Sequence, residues 1–100
     1  MARSDDWPFA EAPNVAAITT VQVINRSRPI LLVQRFADDH SWAFLCGTSD
    51  DLDRDGRVIG MGEALAIDPS LRQVADLEPG WLAWRERPEA EWQRAPYDET

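Results

Sequence analysis

Residues 18–46, ITTVQVINRSRPILLVQRFADDHSWAFLC, decide the fold, because short polar turns separate three apolar runs within them. Residues 18–24 are rich in β-branched side chains and predict a first strand, and residues 30–36 predict a second. Since the turn at 25–29 is short, these two strands are expected to form an antiparallel hairpin. The second strand begins apolar on both faces, which favours an inner position in the sheet.

The remaining strands follow this hairpin along the chain. After a turn at residues 38–40, a third strand is predicted at 42–46, with Trp42, Phe44 and Cys46 on one face. Residues 58–61 predict a shorter fourth strand and residues 81–85 a fifth. Residues 48–57 are interpreted as an acidic loop.

Asp68-Pro69-Ser70 is the clearest helix start in the chain. Asp68 can accept hydrogen bonds from exposed amides, and the first helical position does not need the N–H that proline lacks. Pro79 and Gly80 end this helix after about two turns, so it must pack on the sheet. The expected architecture is an α+β domain over residues 18–100, with an antiparallel sheet of about five strands and one short helix. Residues 1–17 are expected to be an irregular arm anchored by Trp7 and Phe9.

Composition narrows the classes of partner. Ten basic and 18 acidic residues among 100 give a net charge of −8, which disfavours binding to nucleic acid or anionic membranes and favours a basic protein. The single cysteine precludes an internal disulfide. No signal peptide is recognised and no apolar run approaches the roughly 20 residues of a membrane span, so the cytoplasm is the expected location.

The residues that could carry chemistry are few. His40 follows two aspartates but has no second histidine to complete a zinc site, and it is interpreted as a turn residue. Cys46 is expected to be a buried core residue. No Gly-x-Ser-x-Gly elbow is present, and no lysine is available for a Schiff base. No catalytic residue and no cofactor are therefore expected.

The acidic loop has one motif with metal-binding spacing. Asp51, Asp53 and Asp55 before Gly56 match the first half of an EF-hand calcium loop, but Gly62 stands where the closing glutamate is needed. The two interpretations are a weak calcium site on those aspartates and a solvated acidic loop, and the second is favoured.

Five tryptophans in 100 residues suit both cores and interfaces. Trp42 and Trp81 are expected in the core, whereas Trp84 or Trp92 is expected to be partly exposed. The candidate partner-binding residues are Asp50, Asp51, Asp53, Asp55, Trp84 and Trp92.

Several short motifs carry a family resemblance over nearly the whole chain. They are Trp7-Pro8-Phe9, Pro13-Asn14-Val15-Ala16, Pro29-Ile30, Asp38-Asp39 followed by Trp42, Ile67-Asp68-Pro69-Ser70-Leu71, Pro79-Gly80-Trp81 and Trp92. In these the chain resembles a family of small bacterial proteins related to the domain of unknown function 2185, also described as immunity-protein-33-like. The resemblance implies an α+β fold and neutralisation of a toxin, and it implies no catalytic residues.

The leading hypothesis is therefore a non-catalytic binding module of the immunity type, which occludes a basic bacterial toxin. One alternative is a small-ligand-binding protein or hydrolytic enzyme, which would need a pocket with convergent polar groups. Another is a structural or regulatory homodimer formed through an open sheet edge. A monomer or a weak homodimer is expected.

Overall fold

A six-stranded sheet forms the centre of the computed structural model, which describes residues 7–47 and 51–97. Its strands are β1 (Ala16–Thr20), β2 (Leu32–Arg35), β3 (Trp42–Leu45), β4 (Gly56–Gly60), β5 (Trp81–Trp84) and β6 (Gln93–Pro96). Across the sheet they lie in the order β4-β1-β3-β2-β5-β6, and only β1 and β3 are parallel. The α+β class and the inner position of β2 are confirmed. The sheet is mixed, however, and has six strands rather than five.

Short helical segments connect these strands, where the sequence predicted one helix. They are α1 (Val21–Ile24), α2 (Leu52–Asp55), α3 (Met61–Ile67) and a 3-10 helix (Pro69–Val74). Among the described residues, no helix is long and apolar enough to cross a membrane.

The predicted first hairpin is wrong. The chain leaves the sheet after Thr20 and forms α1, and Arg26, the second residue after this helix, adopts a φ of 64°. Helical geometry buries Val23 in the core, and this packing outweighs the weak strand preference of β-branched residues. The connection then passes β3, so β1 pairs with β3 and β4 instead of β2.

Two further elements differ from the sequence prediction. The expected fourth strand at 58–61 lies instead at Gly56–Gly60, and Met61 opens α3. That helix is capped by Glu63, whose Oε1 accepts a hydrogen bond from the Gly60 amide at 3.0 Å. Strand β6 was not predicted because it is polar and contains Pro96, a residue that sheets tolerate at their edges.

The helix predicted at Asp68 is present as the 3-10 helix. Asp68 Oδ1 accepts from the Ser70 amide at 3.0 Å, and Pro69 occupies the first helical position, as the sequence indicated. Leu71 and Val74 are fully buried, so this short helix is held by packing on the sheet.

The large hydrophobic core cluster lies on one side of the sheet, although Ala43 and Leu45 are buried on the other. Phe44, Val33 and Ala83 are neighbours across β3, β2 and β5, and all three are fully buried in this cluster. Phe9 packs edge-on against Trp42, with ring centroids 5.2 Å apart, so the N-terminal segment covers the same side as the 3-10 helix.

Glu11 fastens the N-terminal segment to this side. Its two carboxylate oxygens accept from Trp42 Nε1 and from the Arg35 guanidinium, each at 3.0 Å. Its backbone carbonyl accepts from Trp7 Nε1 at 2.6 Å. Arg35 continues the network by donating to the Leu77 carbonyl at 2.9 Å.

Arg85 closes the opposite end of the core. Its side chain is 2% exposed and forms an ion pair with Asp68. It also donates to the carbonyls of Ile30 and Pro88, each at 2.9 Å, and lies over the Trp92 ring at 4.2 Å from the centroid. This one guanidinium thus joins β5, the 3-10 helix and the segments before β2 and β6.

Candidate binding surface

The other side of the sheet carries uncharged side chains. Residues directly opposite each other in neighbouring strands share a face, and alternate residues along one strand do so too. The pairing therefore defines a single surface, which we call the open face: Ile18, Leu32, Gln34, Ala43, Leu45, Val58, Leu82, Trp84, Gln93 and Ala95.

None of these residues belongs to the hydrophobic core cluster, although Ala43 and Leu45 in β3 are buried, with 1% and 5% exposed. The Val58 side chain is 72% exposed and Trp84 38% exposed, and Ile18, Leu32 and Leu82 are half-buried. The open face bears no charged side chain, although 28% of the chain is charged. A flat apolar surface of this kind is typical of protein interfaces.

The dimensions of the sheet set the size of this surface. Six strands spaced about 4.8 Å apart, each contributing about four residues at 3.3 Å, give roughly 380 Å². That is about half of the roughly 800 Å² that each partner buries in a standard interface. The open face can thus form the apolar centre of an interface whose rim comes from surrounding polar residues.

Trp84 lies at one end of the open face, beside a shallow hollow of about 320 Å³. Leu31, Leu32 and Gly47 line the hollow together with Trp84, and Glu86 stands at its edge. An aromatic ring next to a carboxylate is a favourable site for a lysine or arginine side chain.

Carboxylates stand around the open face at both ends. Asp38 lies in the turn between β2 and β3, Glu86 follows β5, and Asp51 and Asp53 precede β4. None of the four forms an ion pair within residues 7–47 and 51–97, whereas Arg35, Arg54, Arg85, Arg87 and Arg94 all do. The rim is therefore rich in available negative charge.

Trp92 does not lie with Trp84, although sequence reasoning grouped them as partner-binding residues. Its ring is half-buried on the core side against Arg85, and its indole nitrogen is buried without a hydrogen-bond partner among the residues that the structure describes. Trp42 is fully buried as expected, and Trp81 packs partly buried against the core.

The aspartates of the acidic loop play different roles. Asp51 caps α2, with its Oδ1 accepting from the Arg54 amide at 3.3 Å, and Asp53 is exposed. Asp55 is buried and accepts from Arg54 Nη2 and Gln22 Nε2, both at 2.8 Å. These two donors lower the pKa of Asp55 from 3.8 to about 2.

This arrangement bears on the calcium interpretation of the loop. Asp55 is turned towards Arg54 and Gln22, and the residues after Asp51 form a helical turn instead of an open loop. In the described part of the chain, no three His, Cys, Asp or Glu side chains come together in a way that could hold a metal ion. Asp50 lies outside the described residues.

His40 and Cys46 lie at opposite ends of β3. His40 is an exposed turn residue with a φ of 62°, as the sequence indicated. Cys46 is 1% exposed and belongs to the core cluster. The structure does not bring these two reactive groups together.

Sequence reasoning missed Val58, Ile18, Leu32 and Leu82 as surface residues. One feature of the sequence does mark them, since alternate positions of every strand lack charge. Which set of alternate residues is covered depends on the strand order, and the parallel pairing of β1 and β3 was not predicted.

Comparisons of the chain with protein-family models, curated proteins and solved structures returned no match.

Proposed function

We propose that the protein is a non-catalytic binding module that engages a basic protein through the open face, as an immunity protein occludes a toxin. The observation that carries the proposal is a six-stranded sheet with one side packed and the other uncharged and exposed at Val58 and Trp84. The immunity role is supported by the motifs Asp68-Pro69-Ser70 and Pro79-Gly80-Trp81, in which the chain resembles the immunity-protein-33-like family.

Charge selects a basic partner over a second copy of the chain. In a symmetric dimer, two copies of net charge −8 would repel each other, as would the unpaired carboxylates of their two rims. A cationic partner gains from the same charges, both in the rate of encounter and in the rim contacts. Its apolar centre would cover the open face, and a lysine or arginine would enter the hollow between Trp84 and Glu86.

The test uses the full chain as bait in a lysate of its native host, with variants matched for charge. Val58→Arg places a cation on the open face, and Gln73→Arg places the same charge on the 3-10 helix at the opposite side of the sheet. Both sites are exposed, so both variants are expected to fold normally. Trp84→Ala removes the aromatic wall of the hollow.

The wild type and Gln73→Arg should capture the same basic protein in stoichiometric amount. Val58→Arg and Trp84→Ala should bind it at least about tenfold more weakly, a loss of about 1.4 kcal/mol. Expression of the captured protein should arrest growth, and co-expression of this chain should restore it. A partner that is acidic, or that binds Val58→Arg as tightly as wild type, would refute the proposal.

Light scattering at two concentrations tests the homodimer directly. The proposal requires a monomer, because the open face is reserved for a different chain. A dimer that Val58→Arg dissociates would replace the proposed basic partner with a second copy.

A further inference from the structure

A second groove lies on the packed side of the sheet, away from the open face. It has a volume of about 470 Å³ and is formed by the connection between α1 and β2, the end of α3 and the turn at Pro88. Its wall is apolar, with Val23, Ile30, Ile67 and Pro88 among the lining residues. The volume lies within the range of small-molecule sites, roughly 300–1,000 Å³.

Two arginines border this groove. Arg26 and Arg28 are both exposed, and neither forms an ion pair with any residue that the structure describes. The carboxylate in the lining, Asp68, already pairs with Arg85 and accepts from the Ser70 hydroxyl at 2.6 Å. The guanidinium groups at the groove are therefore available to an external anion.

The backbone at Arg26 is an independent observation. Its φ of 64° lies in the left-handed region, and Arg26 immediately follows Asn25, the residue that caps the end of α1. Glycine or asparagine is the usual residue there, because a longer side chain is disfavoured in that conformation. Arginine at this position has a conformational cost, and its side chain lines the groove.

These features define the chemistry of the ligand. A guanidinium binds a carboxylate through two parallel hydrogen bonds, and two arginines can hold one carboxylate from both sides. The apolar wall contributes only if the ligand has an aliphatic body to bury. The net charge of −8 is screened over about 8 Å at physiological ionic strength, so the adjacent arginines dominate the local field.

We infer that this groove binds a small carboxylate with a short aliphatic chain. Its carboxylate lies between Arg26 and Arg28, and its chain lies on Ile67, Pro29 and Pro88, the apolar lining residues that are accessible. The site is separate from the open face and does not depend on the proposed function.

Hexanoate is the probe, and hexanamide is its uncharged control. Amide chemical shifts of the full-length ¹⁵N-labelled protein report binding at Val23, Ile30 and Ile67. Hexanoate should produce saturable shifts at these residues with a dissociation constant in the millimolar range, and hexanamide should bind at least about tenfold more weakly.

Variants assign the effect to the arginines. Arg26→Gly removes one guanidinium and places the preferred residue in the left-handed conformation, so the protein should remain folded while hexanoate binding weakens. Arg28→Gln should weaken it as well, and Arg87→Gln, which removes an exposed arginine that does not line the groove, should not. No saturable shift up to about 50 mM, equal binding of the amide, or unchanged binding in Arg26→Gly and Arg28→Gln would overturn the inference.

Discussion

Replacing Arg85 with methionine would test how much one buried guanidinium contributes to the free energy of unfolding. Methionine fills similar space without charge, so the variant leaves Asp68 Oδ2 and the Ile30 and Pro88 carbonyls without the Arg85 donor. Removing one partner of a buried ion pair costs about 3–5 kcal/mol. Because Asp68 is 20% exposed and water can partly solvate it, we expect Arg85→Met to lower the free energy of unfolding by about 3 kcal/mol, the lower end of this range.

Urea denaturation followed by tryptophan fluorescence is the assay, since guanidinium would screen the charges. For an m value of about 1.5 kcal/mol/M, a loss of about 3 kcal/mol lowers the midpoint by about 2 M. This is a large part of the roughly 5–15 kcal/mol that stabilises a domain of this size.

Arg87→Met is the matched control two residues along the chain. The Arg87 side chain is 67% exposed and its nitrogen lies 3.9 Å from Glu89, so this substitution should cost less than about 0.5 kcal/mol. If the free energy of unfolding of Arg85→Met lies within about 1 kcal/mol of the wild-type value, the guanidinium does not hold these elements together, and the reasoning is wrong.

Three further predictions concern stability. The pKa of Asp55 is lowered to about 2, so its ion pair with Arg54 stabilises the fold above about pH 4 and is lost as the pH falls to about 2. The difference in free energy of unfolding between wild type and Asp55→Asn should therefore shrink over this pH range. A difference that stays constant in acid titrations would contradict this prediction. Phe44→Ala should cost about 3–5 kcal/mol in urea denaturation, because the ring is fully buried, and a cost below about 1 kcal/mol would mean that the core is loosely packed. Gly80 has a φ of 84°, so Gly80→Ala should cost about 1–2 kcal/mol and Gly80→Asn less, and equal costs would show that conformation is not the cause.

Sequence analysis located three of the inner strands correctly. β2, β3 and β5 lie within the predicted ranges because each range contains a run of consecutive apolar residues, at 30–33, 42–46 and 81–84. α1 was mistaken for strand because Val21, Val23 and Ile24 favour strands locally, while tertiary packing of Val23 decides the outcome. β6 and α3 were missed because proline and two glycines obscure their patterns.

The candidate surface was predicted only in part. Composition and alternation indicated that Trp84 or Trp92 is partly exposed, and the structure leaves Trp84 38% exposed. Its neighbours on the open face depend on strand order, which is set by contacts between distant residues. Arg85 illustrates the difficulty, since it donates to Ile30, 55 positions away, and nothing in the adjacent sequence indicates that contact.

The outer edge of β4 has few hydrogen-bonding groups left to offer. Met61 donates to the Val15 carbonyl, so the backbone groups of Gly56, Val58 and Gly60 point away from β1. The Gly56 carbonyl is occupied by the Arg57 guanidinium at 2.8 Å, and the Gly60 amide donates to Glu63.

The outer edge of β6 also has few free hydrogen-bonding groups, for a different reason. The Tyr97 amide donates to the Gly80 carbonyl, so the backbone groups of residue 96 point away from β5. That residue is Pro96, which has no amide hydrogen to donate to an added strand. The described parts of both borders therefore leave few backbone groups free for strand addition, chiefly those of Val58 and Arg94, and the open face is the larger surface for a partner.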